Sequence, residues 1–165
     1  MPELYADYEI RVAQTEDDFR QAARLFREYA DWLKVDLCYQ NFEQELASLP
    51  QMYGGQRGKL LLAWVGNTVA GCVGVRQFSE LVGEMKRLYV PADFQGKGIG
   101  KALAIQIIQK AKELDYTEMV LDTLEQMKSA RKLYYALGFQ EISSYHGNSP
   151  PGVIYLKLDL TDNKL

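Results

Sequence analysis

A glycine-rich segment constrains this chain more than any other feature. Residues 95–101 read Gln-Gly-Lys-Gly-Ile-Gly-Lys and stand between an apolar strand pattern and a long helical pattern. Three glycines in five residues allow backbone angles and a close ligand approach that a Cβ forbids. A helix that begins there directs unpaired N–H groups and the positive end of its dipole at the loop. The segment therefore predicts an anion-binding loop, with a pyrophosphate as the expected ligand.

The glycine spacing separates three kinds of phosphate loop. A P-loop needs Ser or Thr after Gly-Lys to hold magnesium, and Ala102 follows Lys101 here. The dinucleotide fingerprint is G-x-G-x-x-G, whereas this segment is G-x-G-x-G and lies deep in the chain. The remaining pattern, Q/R-x-x-G-x-G/A, is matched by Gln95, Gly98 and Gly100. A strand-to-helix turn without a ligand is the alternative explanation.

Length and charge limit the classes of protein. The 165 residues, 47% of them hydrophobic, suit a single domain over residues 1–165. A formal charge of -3 with no basic stripe argues against a nucleic-acid partner. No stretch is long and apolar enough to span a membrane, and no signal peptide is visible, so we expect a cytoplasmic protein without a membrane partner.

The cysteine and histidine pattern predicts no metal site. Cys38 and Cys72 stand far apart, which is typical of free thiols in a reducing compartment. His146 is the one histidine, and it has no familiar zinc spacing with either cysteine. On the sequence alone, His146 is a loop residue rather than a catalyst.

Hydrophobic periodicity predicts alternating strands and helices. Strand patterns cover residues 8–12, 59–65, 68–76, 84–90, 117–123, 139–143 and 153–158. Helical patterns cover residues 19–33, 41–50, 99–114 and 127–137. Thr15 is the expected N-cap of the first helix, and the second helix should end by Pro50. Strands 84–90 and 117–123 flank a helix, so they should be parallel through a right-handed crossover. The predicted fold is α/β on a mixed sheet.

Two segments resemble the GNAT superfamily of N-acetyltransferases. The glycine loop is similar to its pyrophosphate loop, and residues 129–139 are similar to its A-x-x-L-Y-x-x-x-G-F segment; residues 84–90 are similar to the strand before the loop. The resemblance covers nearly the whole chain and implies the acyl-CoA N-acyltransferase fold, a mixed central β-sheet flanked by helices. Met127 stands where many members have Asn, so a polar contact from that position is absent or supplied elsewhere.

The resemblance also implies a reaction. We expect acetyl transfer from acetyl-CoA to a primary amine, on a small molecule or a peptide, by direct attack in a ternary complex without a metal. The strands 84–90 and 117–123 should splay apart to admit the pantetheine arm. The resemblance places the cofactor against Leu88, Tyr89, Val90, Gln95, Gly96, Lys97, Gly98, Ile99, Gly100 and Lys101. The protein should be a monomer or a homodimer.

Tyr134 and Glu84 are the candidate catalytic residues. The resemblance puts Tyr134 near the thioester sulfur, where a phenol with a pKa of about 10 can protonate a thiolate. Packing in the core is the alternative role for Tyr134, and Tyr135 beside it should pack or lie at the surface. Glu84 is the candidate base, directly or through water. Period two places Glu84, Lys86 and Leu88 on one face, so a salt bridge with Lys86 is equally open.

Other residues have weaker signals. Asp122 can contact the substrate or cap the following helix. Trp32, Tyr39 and Tyr145 fall in segments that form the acceptor wall in the superfamily. A catalytically silent acyl-CoA-binding regulatory module, with the same fold and cofactor but no amine turnover, is the alternative function.

Overall fold

The computed structural model describes residues 7–34, 41–147 and 150–161. Within these ranges the chain forms one seven-stranded sheet with helices on both faces. Cys38 and Tyr39 lie outside the described residues, whereas Cys72 is a buried free thiol. No helix in the described ranges is long and apolar enough to cross a membrane.

The elements follow the predicted order with small changes in their bounds. The strands are β1 (Glu9–Val12), β2 (Lys59–Val65), β3 (Thr68–Gln77), β4 (Val82–Tyr89), β5 (Glu118–Leu124), β6 (Gln140–Ile142) and β7 (Val153–Asp159). The helices are α1 (Glu16–Leu33), α2 (Phe42–Ala47), α3 (Leu49–Tyr53), α4 (Ile99–Glu113) and α5 (Lys128–Ala136), and a 3₁₀ turn covers Ala92–Phe94.

Local sequence accounts for two helix starts. Thr15 caps α1 as predicted: its hydroxyl accepts from the Asp18 N–H at 3.0 Å, and the Asp18 carboxylate accepts from the Thr15 N–H at 3.1 Å. The second predicted helix ends by Pro50 as expected, because α2 stops at Ala47. A further short helix that was not predicted, α3, then begins at Leu49 with Pro50 in its first turn. A first-turn proline is tolerated, since its missing N–H has no partner in the helix.

The strand order is β1-β2-β3-β4-β5-β7-β6. Neighbouring strands are antiparallel except β4 and β5, which are parallel as predicted. Helices α1, α2 and α3 pack on one face over a core that includes Phe26, Tyr53 and Leu62. Helices α4 and α5 pack on the other face over the larger core. The sheet is therefore mixed and covered on both faces.

A β-bulge at Arg87 changes which residues of β4 face which core. Arg87 has a left-handed φ of 61°, and one residue of β3 opposes two of β4 between the pairs Cys72–Tyr89 and Gly74–Lys86. The prediction that Leu88 shares a face with Glu84 is therefore wrong. Leu88 packs with the α4 core, while Tyr89 packs with the α1 core.

A buried ion pair fastens this bulge to α2. The Arg87 guanidinium donates to both carboxylate oxygens of Glu45, at 2.9 and 3.1 Å, and the Tyr53 hydroxyl donates to Glu45 at 3.1 Å. The Cys72 thiol donates to the Arg87 carbonyl at 3.2 Å. Both charged side chains are almost fully buried, so each stabilises the other in a place where neither could remain alone.

Candidate active site

Strands β4 and β5 separate soon after they meet. Their described register comprises the pairs Val82–Glu118, Gly83–Met119 and Glu84–Val120. Strand β4 then continues to Tyr89, and β5 continues to Leu124 paired with β7. The predicted opening between these strands is therefore present. It exposes main-chain groups of β4 to the space between the two strands.

A cleft of about 380 Å³ lies at this opening. The end of β4, the start of α4, the start of α5 and two aromatic residues of α1 form its walls. Its lining residues are Tyr29, Trp32, Leu88, Tyr89, Val90, Gln95, Gly100, Gln126, Met127, Lys128, Ser129, Ala130 and Leu133. Five predicted cofactor contacts are among them. Met127 also lines the cleft, although it was not among the predicted site residues because many family members have Asn at this position.

The glycine loop has the conformation that its sequence predicts. Gly96 and Gly98 have φ values of 80° and 81°, which side chains disfavour, and Gly98 is the N-terminal residue before α4. The Gln95 side chain donates to the Val90 carbonyl at 2.9 Å and so ties the loop to the end of β4. The first N–H groups of the fifteen-residue α4 therefore point toward the cleft end of the loop.

The remaining loop residues have different surroundings. Ile99 buries its side chain in the α4 core, so only its main chain is available to a ligand. Lys97 and Lys101 are exposed, and the Lys97 ammonium group lies 5.7 Å from the centre of the Phe94 ring. Two exposed lysines beside a helix N-terminus add positive charge where an anion is expected.

Tyr134 is a buried residue of α5 near the opening. Its ring packs edge-on against Phe139 at 5.7 Å, and it belongs to the α4 core. Burial raises the pKa of Tyr134 well above its usual range, with further contributions from Tyr29 and Asp122. The phenol therefore carries its proton at neutral pH and can donate it. Tyr135 beside it is exposed, as predicted.

Glu84 is fully buried and is held by groups from two strands and a loop. Oε1 accepts from Arg76 at 2.9 Å, and Oε2 accepts from the Tyr145 hydroxyl at 2.9 Å. The His146 Nε2 lies 3.2 Å from Oε2, and the Lys86 ammonium group lies 4.0 Å from it. Burial by itself raises the pKa of Glu84, but these contacts outweigh it and hold the pKa well below its usual range. At neutral pH Glu84 is an anion.

Asp122 and Lys86 complete this charged cluster. Asp122 does not cap α5, because the helix begins at Lys128, and its carboxylate instead lies 3.7 Å from Nε2 of His146. Burial raises the pKa of Asp122 despite the nearby Lys86 ammonium group. Burial and the charge of Arg87 lower the pKa of Lys86 to about 8. The cluster is thus a set of closely balanced charges beside the opening.

The ligand atoms in this cluster are close enough together to hold a metal ion, but neighbouring cationic side chains disfavour one. Ligand atoms of Glu84, Asp122 and His146 all lie within 4.8 Å of one another. Both oxygens of Glu84 already accept hydrogen bonds, and two cationic side chains adjoin it. A divalent ion would be repelled by those cations at short range.

Sequence reasoning missed the convergence of Tyr145 and His146 on Glu84. These residues lie 61 and 62 positions from Glu84, on the segment between β6 and β7. One signal was available for Asp122: it is a carboxylate that directly follows three apolar residues of a strand. Tyr145 was expected on the acceptor wall and does lie at this cluster, whereas Trp32 lies at the cleft, 53% exposed.

The fold and the cleft together define an acyl-CoA N-acyltransferase. Residues 22–139 match the model of the acetyltransferase (GNAT) family, which is more than half of the chain. The chain belongs to the GNAT family, and it is an N-acetyltransferase. It is 37% identical to an uncharacterized N-acetyltransferase of Schizosaccharomyces pombe over 92% of this chain and 93% of that protein.

Solved structures confirm the fold. An acetyltransferase of the GNAT family from Staphylococcus aureus has a TM-score of 0.77 and 19% identity, over 93% of this chain and 99% of that chain. An acetyltransferase from Salmonella typhimurium, solved with its cofactor acetyl-CoA, has a TM-score of 0.72 and 19% identity, over 96% and 97% of the two chains. The predicted fold class and superfamily are confirmed.

Removing the Glu84 charge should destabilise the fold in a pH-dependent way. Glu84→Gln removes the carboxylate that faces the partly buried Arg76 and the almost fully buried Lys86, so we expect a loss of about 3 kcal/mol near pH 7. The folded pKa lies below the ordinary value of 4.5, so the carboxylate stabilises the fold above that pH and loses this effect as the pH falls. The deficit should therefore shrink by about 1 kcal/mol near pH 3.5.

Urea unfolding of both proteins at the two pH values measures this deficit. Glu118→Gln is the matched control, because Glu118 pairs with Lys157 at 3.7 Å with both side chains about two-fifths exposed. Its effect should stay below about 1 kcal/mol at either pH. A Glu84→Gln deficit that does not change with pH would contradict the assignment of a buried, ionised Glu84.

Proposed function

We propose that this N-acetyltransferase uses acetyl-CoA as its donor and a primary amine as its acceptor, which attacks directly in a ternary complex. The observation that carries the proposal is the continuity of the cleft. It runs from the glycine loop along the open edge of β4. Tyr134 and Glu84 do not line this cleft themselves. Glu84 is the last residue of β4 paired with β5, and Tyr29, which lines the cleft, acts electrostatically on Tyr134.

The residues of the cleft suit a coenzyme A molecule. Unpaired N–H groups at the start of α4, with Lys97 and Lys101 nearby, would hold the pyrophosphate. The unpaired edge of β4 at Leu88, Tyr89 and Val90 offers main-chain groups to the pantetheine amides. When bound, acetyl-CoA supplies the activated acetyl thioester. No acyl-enzyme is needed if donor and acceptor meet at the opening.

The protein would contribute a general acid and a negative charge to the reaction between donor and acceptor. Tyr134, which stays protonated, would donate its phenolic proton to the departing thiolate. Glu84 would supply the negative charge that draws an ammonium group to the acceptor side and would promote its deprotonation. The balanced cations Arg76 and Lys86 keep that charge fixed in a buried position.

Thiol release from acetyl-CoA across a panel of alkylamines, amino acids, polyamines and peptides tests the function. We expect release with one class of amine, together with calorimetric binding of acetyl-CoA in the same samples. Binding without release from any amine would favour the regulatory module instead. No binding would overturn the assignment of acetyl-CoA as donor.

Tyr134→Phe should separate catalysis from binding. Loss of the general acid should lower kcat about 100-fold while the Kd of acetyl-CoA stays within about twofold. The exposed neighbour offers a matched control, and Tyr135→Phe should change neither quantity. Steady-state kinetics and calorimetry measure both. An equal loss of kcat and affinity, or no loss at all, would remove Tyr134 from the acid role.

Gly98→Ala should weaken acetyl-CoA binding. A Cβ at a φ of 81° costs about 1–2 kcal/mol, so a loop held in this shape by the ligand should lose about tenfold in affinity. Gly66→Ala is the matched control, since Gly66 also has a positive φ with open space around it but lies in the β2–β3 turn. Calorimetry should show normal affinity for the control. Equal effects of both substitutions would contradict the role of the loop.

A further inference from the structure

His146 is held in one place beside the strand opening. Its Nε2 lies 3.2 Å from Glu84 Oε2 and 3.7 Å from Asp122 Oδ2. The Ser144 hydroxyl accepts from the His146 N–H at 3.2 Å and donates to the His146 carbonyl, which fixes the main chain. The ring is packed against Tyr145, with ring centres 4.6 Å apart. Side chain and main chain are therefore both anchored.

We infer that His146 is the general base of the reaction: its Nδ1 takes a proton from the ammonium group of the acceptor, while Glu84 and Asp122 hold Nε2. This inference rests on the proposed function. Glu84 lies within hydrogen-bond distance of Nε2 and Asp122 lies 3.7 Å from it, and a carboxylate can only accept. A proton on Nε2 is therefore favoured, which leaves the proton-accepting lone pair of the neutral ring on Nδ1. Carboxylates that orient an imidazole also stabilise the imidazolium that forms.

The proton balance closes with Tyr134 as the acid. One ammonium proton passes to Nδ1, and the neutral amine forms its bond to the thioester carbon. The C–S bond then breaks, and the thiolate takes the Tyr134 proton. The nitrogen, now part of the amide formed by that collapse, loses its extra proton to the tyrosinate, which restores the phenol. The imidazolium releases its proton to solvent, so one proton is released for each amide and thiol formed.

His146 fits this role better than the carboxylates around it. Glu84 is fully buried, and both of its oxygens already accept hydrogen bonds. The side chain of Asp122 is 11% exposed, whereas that of His146 is 23% exposed. An imidazole also titrates ordinarily near neutral pH, whereas a carboxylate holds a proton only in acid. Of Glu84, Asp122 and His146, His146 is therefore the most accessible.

The charges around the ring come from four strands and its own loop. They are Arg76 of β3, Glu84 and Lys86 of β4, Asp122 of β5, Tyr155 of β7 and the adjacent Tyr145. Two anions face two cations, so the ring lies in a nearly neutral environment.

The pH dependence of kcat/KM, measured with the amine that the panel turns over fastest, tests the inference. His146→Gln keeps an N–H donor near the carboxylates but cannot take a proton. We expect kcat to fall about 100-fold and the acidic limb of the profile to disappear, while the Kd of acetyl-CoA stays within about twofold. Tyr134→Phe should also lower kcat but keep the acidic limb.

A chemical rescue gives an independent test of the base role. Added imidazole should raise the activity of His146→Ala by at least about tenfold.

A second measurement needs neither turnover nor a variant. Because the chain has one histidine, ¹⁵N NMR of the imidazole reports His146 alone. We expect the neutral ring to carry its proton on Nε2. A proton on Nδ1 would overturn the inference, whether or not any amine is acetylated.

Other results would also overturn it. One is a His146→Gln enzyme that keeps more than about a third of its activity or keeps the acidic limb. Another is loss of that limb in Asp122→Asn but not in His146→Gln, which would make Asp122 the base. If the wild type acetylates no amine while binding acetyl-CoA, the proposed function fails, and the base role fails with it even if Nε2 carries the proton.

Discussion

The short parallel contact between β4 and β5 is the constraint on which the rest of the molecule depends. Only three residue pairs join these strands in the described register, and beyond Glu84 they diverge. The bulge at Arg87 turns β4 at the point where the opening begins, and it requires a left-handed backbone at a residue that is not glycine. Such a conformation costs about 1 kcal/mol or more. The pair between Arg87 and Glu45 offsets that cost, so α2 holds the strand in the shape that makes the cleft.

The chemistry of the opening depends on a second set of buried charges. Glu84 would be expensive to bury alone, and Arg76, Lys86, Tyr145 and His146 each contribute a contact that keeps it ionised. Because these partners come from different elements, the carboxylate has a fixed position relative to both strands. A rigid anion next to the cleft suits an enzyme that must select an ammonium group and then remove a proton from it.

Local patterns predicted the parts of the site that lie close together in sequence. The glycine loop, the strand before it and the helix with Tyr134 follow from spacing and from resemblance. The bulge at Arg87 has no such signal, because its partner Glu45 lies 42 residues away. The same reason applies to Tyr145 and His146, which contact Glu84 but lie 61 and 62 positions after it in the sequence. Asp122 was placed at a helix cap because strand β5 ends before α5 through a turn that the sequence does not mark.

The seam in the sheet also divides the chain by order of synthesis. Strands β1 to β4 form an antiparallel ladder of neighbours, and all four are synthesised before β5. Strands β5, β6 and β7 form a second ladder from the last third of the chain. The cleft is therefore not part of either half and comes into existence only when the two dock. Enzymatic activity in a refolding experiment would consequently report the final step of assembly, after most main-chain hydrogen bonds have formed.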